Sequence, residues 1–290
     1  MEDIIVIVGP TGVGKTKLSI ELAKKMGAEI INGDSVSIYK ELNIGSAKPS
    51  IEERENIVHH LFDAVDVSDN YTVYEYQRDV RKLIDNITSH GKRVIIVGGT
   101  GLYIRAALYD YKFSNGTSFC QYEELTNEEL VSRIKKYDIL DIPHVNNRQR
   151  LVRTLNKLEN GEEISTNESK ILYPCKFIGL TTDRKILYQR INDRVDKMLE
   201  NGLVEEVKSL KDKYLTSRVL NTGIGYKEFY NYLFGDTSLE EVIDNIKRDS
   251  RRFAKRQYTF FNNQFEVKWF DVNFEDFSKT VEEVYNYIKK

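Results

Sequence analysis

With 290 residues, 43 basic and 45 acidic side chains, the chain carries a formal net charge of −2, so no global polycation exists and any nucleic-acid contact must come from a local patch. Two cysteines, Cys120 and Cys175, match no metal-ligand spacing and read as reduced thiols of a cytoplasmic protein. Met1-Glu2-Asp3 lacks the basic start of a signal peptide, and no apolar run approaches the ~20 residues that span a bilayer, so no membrane contact is expected.

The apolar run Ile4–Val8 predicts a first strand, and the amphipathic run from Leu18 to Met26 a first helix. Between them stands Gly9-Pro10-Thr11-Gly12-Val13-Gly14-Lys15-Thr16, a complete G-x-x-x-x-G-K-[ST] loop in the strand–loop–helix context that gives the motif its meaning. Its glycines let successive N–H groups turn toward phosphate oxygens at a helix N-terminus. Lys15 is placed to pair with the outer phosphates, and the Thr16 hydroxyl to hold Mg²⁺. A tight turn alone accounts for a glycine or two, not for Lys-Thr after them. The loop therefore predicts a bound di- or triphosphate.

A second strand, Glu29–Asn32, ends at Gly33-Asp34-Ser35, where the Asp34 carboxylate either faces the phosphate crevice or caps a helix. A third, Val94–Val97, ends at Gly98-Gly99-Thr100-Gly101, with helical character from Leu102. Ligands of open parallel sheets sit beyond the carboxyl ends of the strands, so these three turns are expected to share one crevice. The third strand lacks the terminal acid with which many P-loop NTPases hold Mg²⁺, which weakens the case for nucleotide hydrolysis. Its glycines let backbone or substrate approach closely, and Thr100 can donate a hydrogen bond.

From about Phe113 to Leu172 the chain is polar, beginning with Ser114-Asn115-Gly116-Thr117-Ser118, with helices near Asn127–Tyr137 and Asn147–Asn160. Residues 113–172 read as a helical insertion over the site, and 1–112 with 173–290 as the core. Sheet character returns at Phe177–Leu180, followed by a helix from Arg184 to Asn201 with Ile191, Val195 and Met198 at core spacing and Gly202 as its stop. On it, Arg190 and Arg194 either pair with Asp193 or Asp196 at the surface or neutralise a departing phosphate. A helix near Leu239–Phe261 places Lys247, Arg248, Arg251, Arg252, Lys255 and Arg256 on one arc, with Asp249 off it and Val242, Ile246, Phe253 and Phe260 opposite. A charged face is usually solvated, but six cations together suit a phosphate backbone, as do Arg148, Arg150 and Arg153 in the insertion. Val267–Phe270 is expected as an edge strand. The class is α/β: a P-loop NTPase-like parallel sheet flanked by helices, with a helical insertion.

Taken together these segments resemble the tRNA dimethylallyltransferases, also called tRNA isopentenyltransferases, in their bacterial form without an appended zinc finger. Beyond Gly9–Thr16 the likeness runs through Asp34-Ser35-Val36-Ser37-Ile38-Tyr39, Gly45-Ser46-Ala47-Lys48-Pro49, His59-His60-Leu61 and Gly98-Gly99-Thr100-Gly101-Leu102-Tyr103. It continues through Asn147-Arg148-Gln149-Arg150-Leu151-Val152-Arg153, Arg190-Ile191-Asn192-Asp193-Arg194, Gly223-Ile224-Gly225-Tyr226-Lys227 and Ala254-Lys255-Arg256-Gln257.

The resemblance implies transfer of a dimethylallyl group from dimethylallyl diphosphate, held by Gly9–Thr16, to N6 of an adenosine adjacent to the tRNA anticodon (position 37), releasing pyrophosphate. It implies Asp34 as general base, with Lys15, Mg²⁺ on Thr16 and Arg194 stabilising the leaving group and Thr100 near the transferred group or the base. Contacts to the anticodon stem-loop are implied for Asp34, Ser35, Val36, Ser37, Thr100, Gln149, Arg150, Leu151, Val152, Arg153, Gly225, Tyr226 and Lys227. Arg252, Lys255 and Arg256 would grip the RNA backbone. One chain carries every group needed, so a monomer is expected. Ser37 stands where the family often has Gln and Phe260 where Trp is common; the insertion is short, without an identifiable Pro- and Arg-containing segment. A small-molecule kinase would share the P-loop and a lid-like insertion, and predicts ADP as product; a non-catalytic RNA-binding protein is the third reading.

Overall fold

A strand buried on both faces must be apolar throughout, and β1 (Ile4–Val8) has every side chain at 1% exposure or less. It lies inside a sheet ordered β3-β2-β4-β1-β5-β6, formed with β2 (Ala28–Asn32), β3 (His59–His60), β4 (Arg93–Val97), β5 (Cys175–Thr181) and β6 (Val267–Asp271). Every pairing is parallel. The computed structural model describes residues 3–113, 122–139, 142–161 and 170–290. The Ser114–Ser118 stretch and Cys120 lie outside them; Cys175 is a free thiol whose pKa burial pushes up to about 12.

Alternate residues of the strands feed two apolar clusters, one on each face of the sheet. Ile4, Val6 and Val8 join side chains from α2 (Val73–Ser89), α3 (Gly101–Leu108), α7 (Leu203–Ser209), α8 (Arg218–Thr222) and α10 (Leu239–Gln264). Ile5 and Ile7 join α1 (Lys15–Met26) and α11 (Phe277–Lys289). Helix α6 (Arg184–Glu200), capped by Asp183, contributes Leu187 and Ile191 to the second cluster and Val195 to the first. A short α9 (Tyr230–Phe234) precedes α10. No helix of the described residues is long and apolar enough to cross a membrane.

By contact the chain falls into two units, Met1–Tyr109 with Ile171–Lys290, and Asp110–Lys170. The smaller one holds α4 (Asn127–Ile134), started by a Thr126–Glu129 capping box, and α5 (Arg148–Glu159), capped by Asn147. Its core consists of Tyr122, Leu130, Ile134, Leu151, Val152 and Leu155. The Arg148 guanidinium donates to the carbonyls of Leu125 (2.6 Å) and Tyr122 (2.7 Å), closing the turn before α4.

Three expectations are corrected here. The buried stripe of α10 runs Val242, Ile246, Ala254, Gln257 and Phe261, while Phe253 and Phe260 are only half-buried at its margin. Asp249 interrupts the basic arc, binding Lys227 at 3.0 Å, Arg248 at 3.3 Å and Arg252 at 3.6 Å. No helix follows Asp34, because residues 35–38 form turns, so the capping alternative for that carboxylate falls away.

The parallel order brings the ends of β1, β2 and β4 side by side. The Gly33 N–H donates to Val97 O (2.8 Å) and the Thr100 N–H to Gly33 O (3.1 Å), lacing the β2 and β4 turns together. A Cβ on Gly98 would stand 2.2 Å from the Gly33 carbonyl carbon, so the glycines serve contact between two backbones. Because the clash is with main chain, Gly98→Ala is expected to cost roughly 2–3 kcal/mol or more, read as a lower urea midpoint at unchanged slope.

Candidate active site

Three loops and one helix supply the site. Gly14 starts α1 at φ 103, a left-handed conformation that a side chain would strain, and it turns the loop into the helix. Among the described residues, the N–H groups of Gly12, Val13, Gly14, Lys15 and Thr16 have no hydrogen-bond acceptor, as an anion cradle at a helix N-terminus requires. Thr11 does not belong to that set, since its N–H donates to Gln257 Oε1 at 3.0 Å. Thr11 is held by protein and was expected to hold phosphate.

Charge gathers beside the cradle. Lys15 is half-buried as a residue, and its ammonium donates to Pro10 O at 2.9 Å. Burial draws its pKa down to about 8, with Asp34 opposing the fall and Arg194 adding to it. Burial likewise lowers Arg194 from its ordinary value, against the attraction of Asp34. Lys15, Asp34 and Arg194 thus form one electrostatic group, two cations to one carboxylate. Neither Arg190 nor Arg194 of α6 pairs with the neighbouring acids: Asp193 accepts from Gln189 (2.7 Å) and Asp196 is bound to Lys247. Arg190 buttresses the cradle, its Nε donating to Gly12 O at 3.0 Å and its guanidinium lying 4.0 Å from the Phe274 ring centroid.

Asp34 is held from several sides. Its Oδ1 accepts the Gly99 N–H at 2.6 Å, and its own N–H donates to Asn32 Oδ1 at 3.0 Å. Buried Asn32 returns Nδ2 to Asp34 O and Leu61 O, both at 3.0 Å. Below it, the Tyr76 hydroxyl donates to Asn32 O at 3.0 Å, and burial pushes its pKa up. Thr100 ties the two turns: its Oγ1 accepts the Ser35 N–H (3.0 Å) and donates to Ser35 Oγ (3.3 Å).

Not every expected contact lies open. Tyr226 is 0% exposed; its hydroxyl donates to Glu206 Oε1 at 2.7 Å, while that carboxylate also accepts the N–H groups of Asn43, Ile44 and Gly45. Its side chain secures a loop and does not face an RNA. Leu151 and Val152 are core of the smaller unit, whereas Gln149, Arg150 and Arg153 are exposed on α5. Ser37 is 5% exposed, with Ser35 and Val36 half-buried. Gly225 gives its N–H to Glu228 Oε2 at 2.9 Å, and Lys227 is spent on Asp249. Lys255 and Arg256 are exposed, without an ion-pair partner among the described residues, beside an open groove that also includes Thr259 and Phe260. Asn32, Tyr76, Glu206 and Gln257 carry support that motif reading missed; of these, only Gln257 lies in a stretch resembling the family.

A parallel sheet whose first turn offers unpaired N–H groups at a helix N-terminus and whose neighbouring turns present a carboxylate defines a P-loop NTPase-like α/β protein. The family profile described as IPP transferase matches residues 37–264. The chain is 46% identical over 303 aligned residues to a tRNA dimethylallyltransferase of Geobacillus thermodenitrificans, covering 99% of this chain and 96% of the relative. Two crystal structures are also similar. One is a tRNA isopentenylpyrophosphate transferase of Bacillus halodurans (38% identity, TM-score 0.78, 100% of this chain and 96% of the other). The second is a tRNA delta(2)-isopentenylpyrophosphate transferase of Staphylococcus epidermidis (36% identity, TM-score 0.77, 100% and 99%). The chain belongs to the IPP transferase family.

The lowered Lys15 pKa sets a pH dependence. A bound diphosphate favours the ammonium form, so the contribution of Lys15 to affinity is full below about pH 8 and falls as pH rises past it. Calorimetric titration with inorganic pyrophosphate should lose up to about tenfold in affinity per pH unit in that range, and Lys15→Met should be weaker and flat there.

Proposed function

We propose that this chain transfers the dimethylallyl group of dimethylallyl diphosphate to N6 of an adenosine adjacent to the tRNA anticodon (position 37). The observation that carries this reading is the Asp34 carboxylate, fixed by the Gly99 N–H at 2.6 Å and grouped with Lys15 and Arg194 beside the cradle. An N6 amine is a weak nucleophile because its lone pair is delocalised into the ring. As its bond to the allylic carbon forms, one N–H proton passes to Asp34, and the carbon–oxygen bond to diphosphate breaks. The electron pair leaves with pyrophosphate, where Lys15, Arg194 and the N–H groups of Gly12–Thr16 stabilise the growing charge.

Among the described residues no three His, Cys, Asp or Glu side chains cluster as metal ligands. A single hydroxyl, Thr16, combined with the donor's own phosphate oxygens nevertheless suits Mg²⁺, which prefers oxygen ligands and keeps much of its water. When bound, it would supply further charge neutralisation on the leaving group. The acceptor base must leave its stack to reach Asp34, at a cost of a few kcal/mol. Lys255, Arg256, Gln149, Arg150 and Arg153 are exposed and chemically suited to the RNA backbone. One chain supplies every role, so it acts as a monomer.

The decisive assay offers unmodified tRNA with labelled dimethylallyl diphosphate and ATP together. Nucleoside mass spectrometry should find one five-carbon unit on adenosine, with pyrophosphate released and no ADP; label in ADP would instead establish a kinase. Asp34→Asn should reduce turnover by about 10²–10⁴-fold with tRNA binding retained. Lys255→Ala and Arg256→Ala should each weaken tRNA binding and reduce the slope of log affinity against log salt by about one, measured by filter binding.

A further inference from the structure

Gln257 is a buried polar side chain to which the proposed chemistry gives no part. It is 4% exposed on α10, and both ends of its amide are engaged. Oε1 accepts the Thr11 N–H at 3.0 Å; Nε2 donates to Gly99 O at 3.1 Å. Only this orientation satisfies both partners, since one offers a donor and the other an acceptor. Gly99 in turn gives its N–H to Asp34 Oδ1. One line of hydrogen bonds therefore runs from the diphosphate loop through the amide and Gly99 to the carboxylate. A Cβ at Gly99 would stand 2.0 Å from Gln257 Nε2 and 3.1 Å from Asp34 Oδ1, so the contact demands glycine.

We infer that Gln257 is a positioning residue for the transfer reaction, setting the spacing between the diphosphate cradle and Asp34. The inference rests on reading Asp34 as the proton acceptor. In a transfer between two bound partners, leaving group and base must keep a fixed separation, and an error of about 1 Å costs on the order of a hundredfold in rate. The cradle and Asp34 follow different strands, β1 and β2, and Gly99 follows a third, β4. A side chain from a fourth element that grips both loops removes the remaining freedom. Its exposed neighbours Lys255 and Arg256 put the RNA-facing cations on the same helical turn as the amide.

The test uses the full chain with tRNA and dimethylallyl diphosphate. Gln257→Met keeps approximate volume and loses both bonds. It should lower kcat by about a hundredfold, raise KM for the prenyl donor severalfold and leave tRNA affinity unchanged. Gln257→Glu separates positioning from packing. Its protonated carboxyl can accept from Thr11 and donate to Gly99; ionised, it sets a negative oxygen against Gly99 O and near Asp34. Relative to wild type, its kcat should be near normal at about pH 5 and fall at least about tenfold by about pH 8, as a buried acid titrates. A merely structural role would scale kcat equally at every pH.

A Gln257→Glu profile parallel to wild type, with Gln257→Met within twofold in kcat, would overturn the inference. Asp34→Asn run alongside tells the two readings apart. If it is inactive while the Gln257 variants are normal, positioning alone is refuted; if it works at the wild-type rate, the base assignment fails and takes the inference with it. Should Gln257→Met not fold, the Gln257→Glu profile decides the question.

Discussion

Two cations held partly out of water beside a single carboxylate set the terms for the rest of this structure. Burial lowers the pKa of both Lys15 and Arg194, and Asp34 offsets only part of that shift. The group therefore has one positive charge in excess, and in the proposed reaction an incoming diphosphate would relieve it. Cleavage of the carbon–oxygen bond would then add negative charge to the departing fragment. Interaction with the cations would be stronger at that stage than in the bound donor, which is what a group must provide to accelerate a step. The orphan N–H groups of the first turn act in the same sense, since they are fixed dipoles that need no rearrangement as charge develops.

Such a group can persist only where the backbone holds it, and here the support is main chain laid on main chain. Gly33 and Gly98 touch with no space for a side chain, which brings the β2 and β4 turns within reach of β1. Asn32 then closes a local ring with Asp34, and Tyr76 of α2 secures Asn32 from below. Arg190 performs the equivalent task on the other side, bound to Gly12 O and stacked on Phe274. Deleting any of these would leave the charged side chains in place but free the loops that aim them.

Much of this was legible in the sequence where chemistry and local geometry coincide. The glycine-rich loop announced its cradle because strand, loop and helix are contiguous, and Asp34 announced itself by following a strand in the same sheet. The two-residue β3 had no apolar pattern to betray it, its side chains being histidines. Helix α2 escaped the reading despite a Thr72–Glu75 capping box and buried Tyr76, Val80, Ile84 and Ile87 at helical spacing, so that signal was present. Tyr226, Leu151 and Val152 illustrate a different limit. A segment typical of a family contains both the groups that meet a substrate and those that hold the segment together, and only burial distinguishes them. The basic arc of α10 misled in the same manner: a helical wheel cannot show that half-buried Asp249 reaches back to Arg248, Arg252 and Lys227.

Under the proposed function, the position after β4 accounts for carbon chemistry on this scaffold. A phosphoryl-transfer enzyme attacks phosphorus, and its strand-end acid holds the metal that bridges the phosphates. Here Gly98 and Gly99 take that place, and the Gly99 N–H turns toward the carboxylate of the neighbouring strand. The acid stands one strand away, just after β2, which in the proposed reaction is where an incoming amine would shed its proton. With a base there and cations to hold the diphosphate, the proposed reaction would break a bond to the carbon that the diphosphate carries and not one between phosphorus and oxygen. On that reading, the loop that would present a γ-phosphate for attack would instead retain the whole diphosphate as it departs.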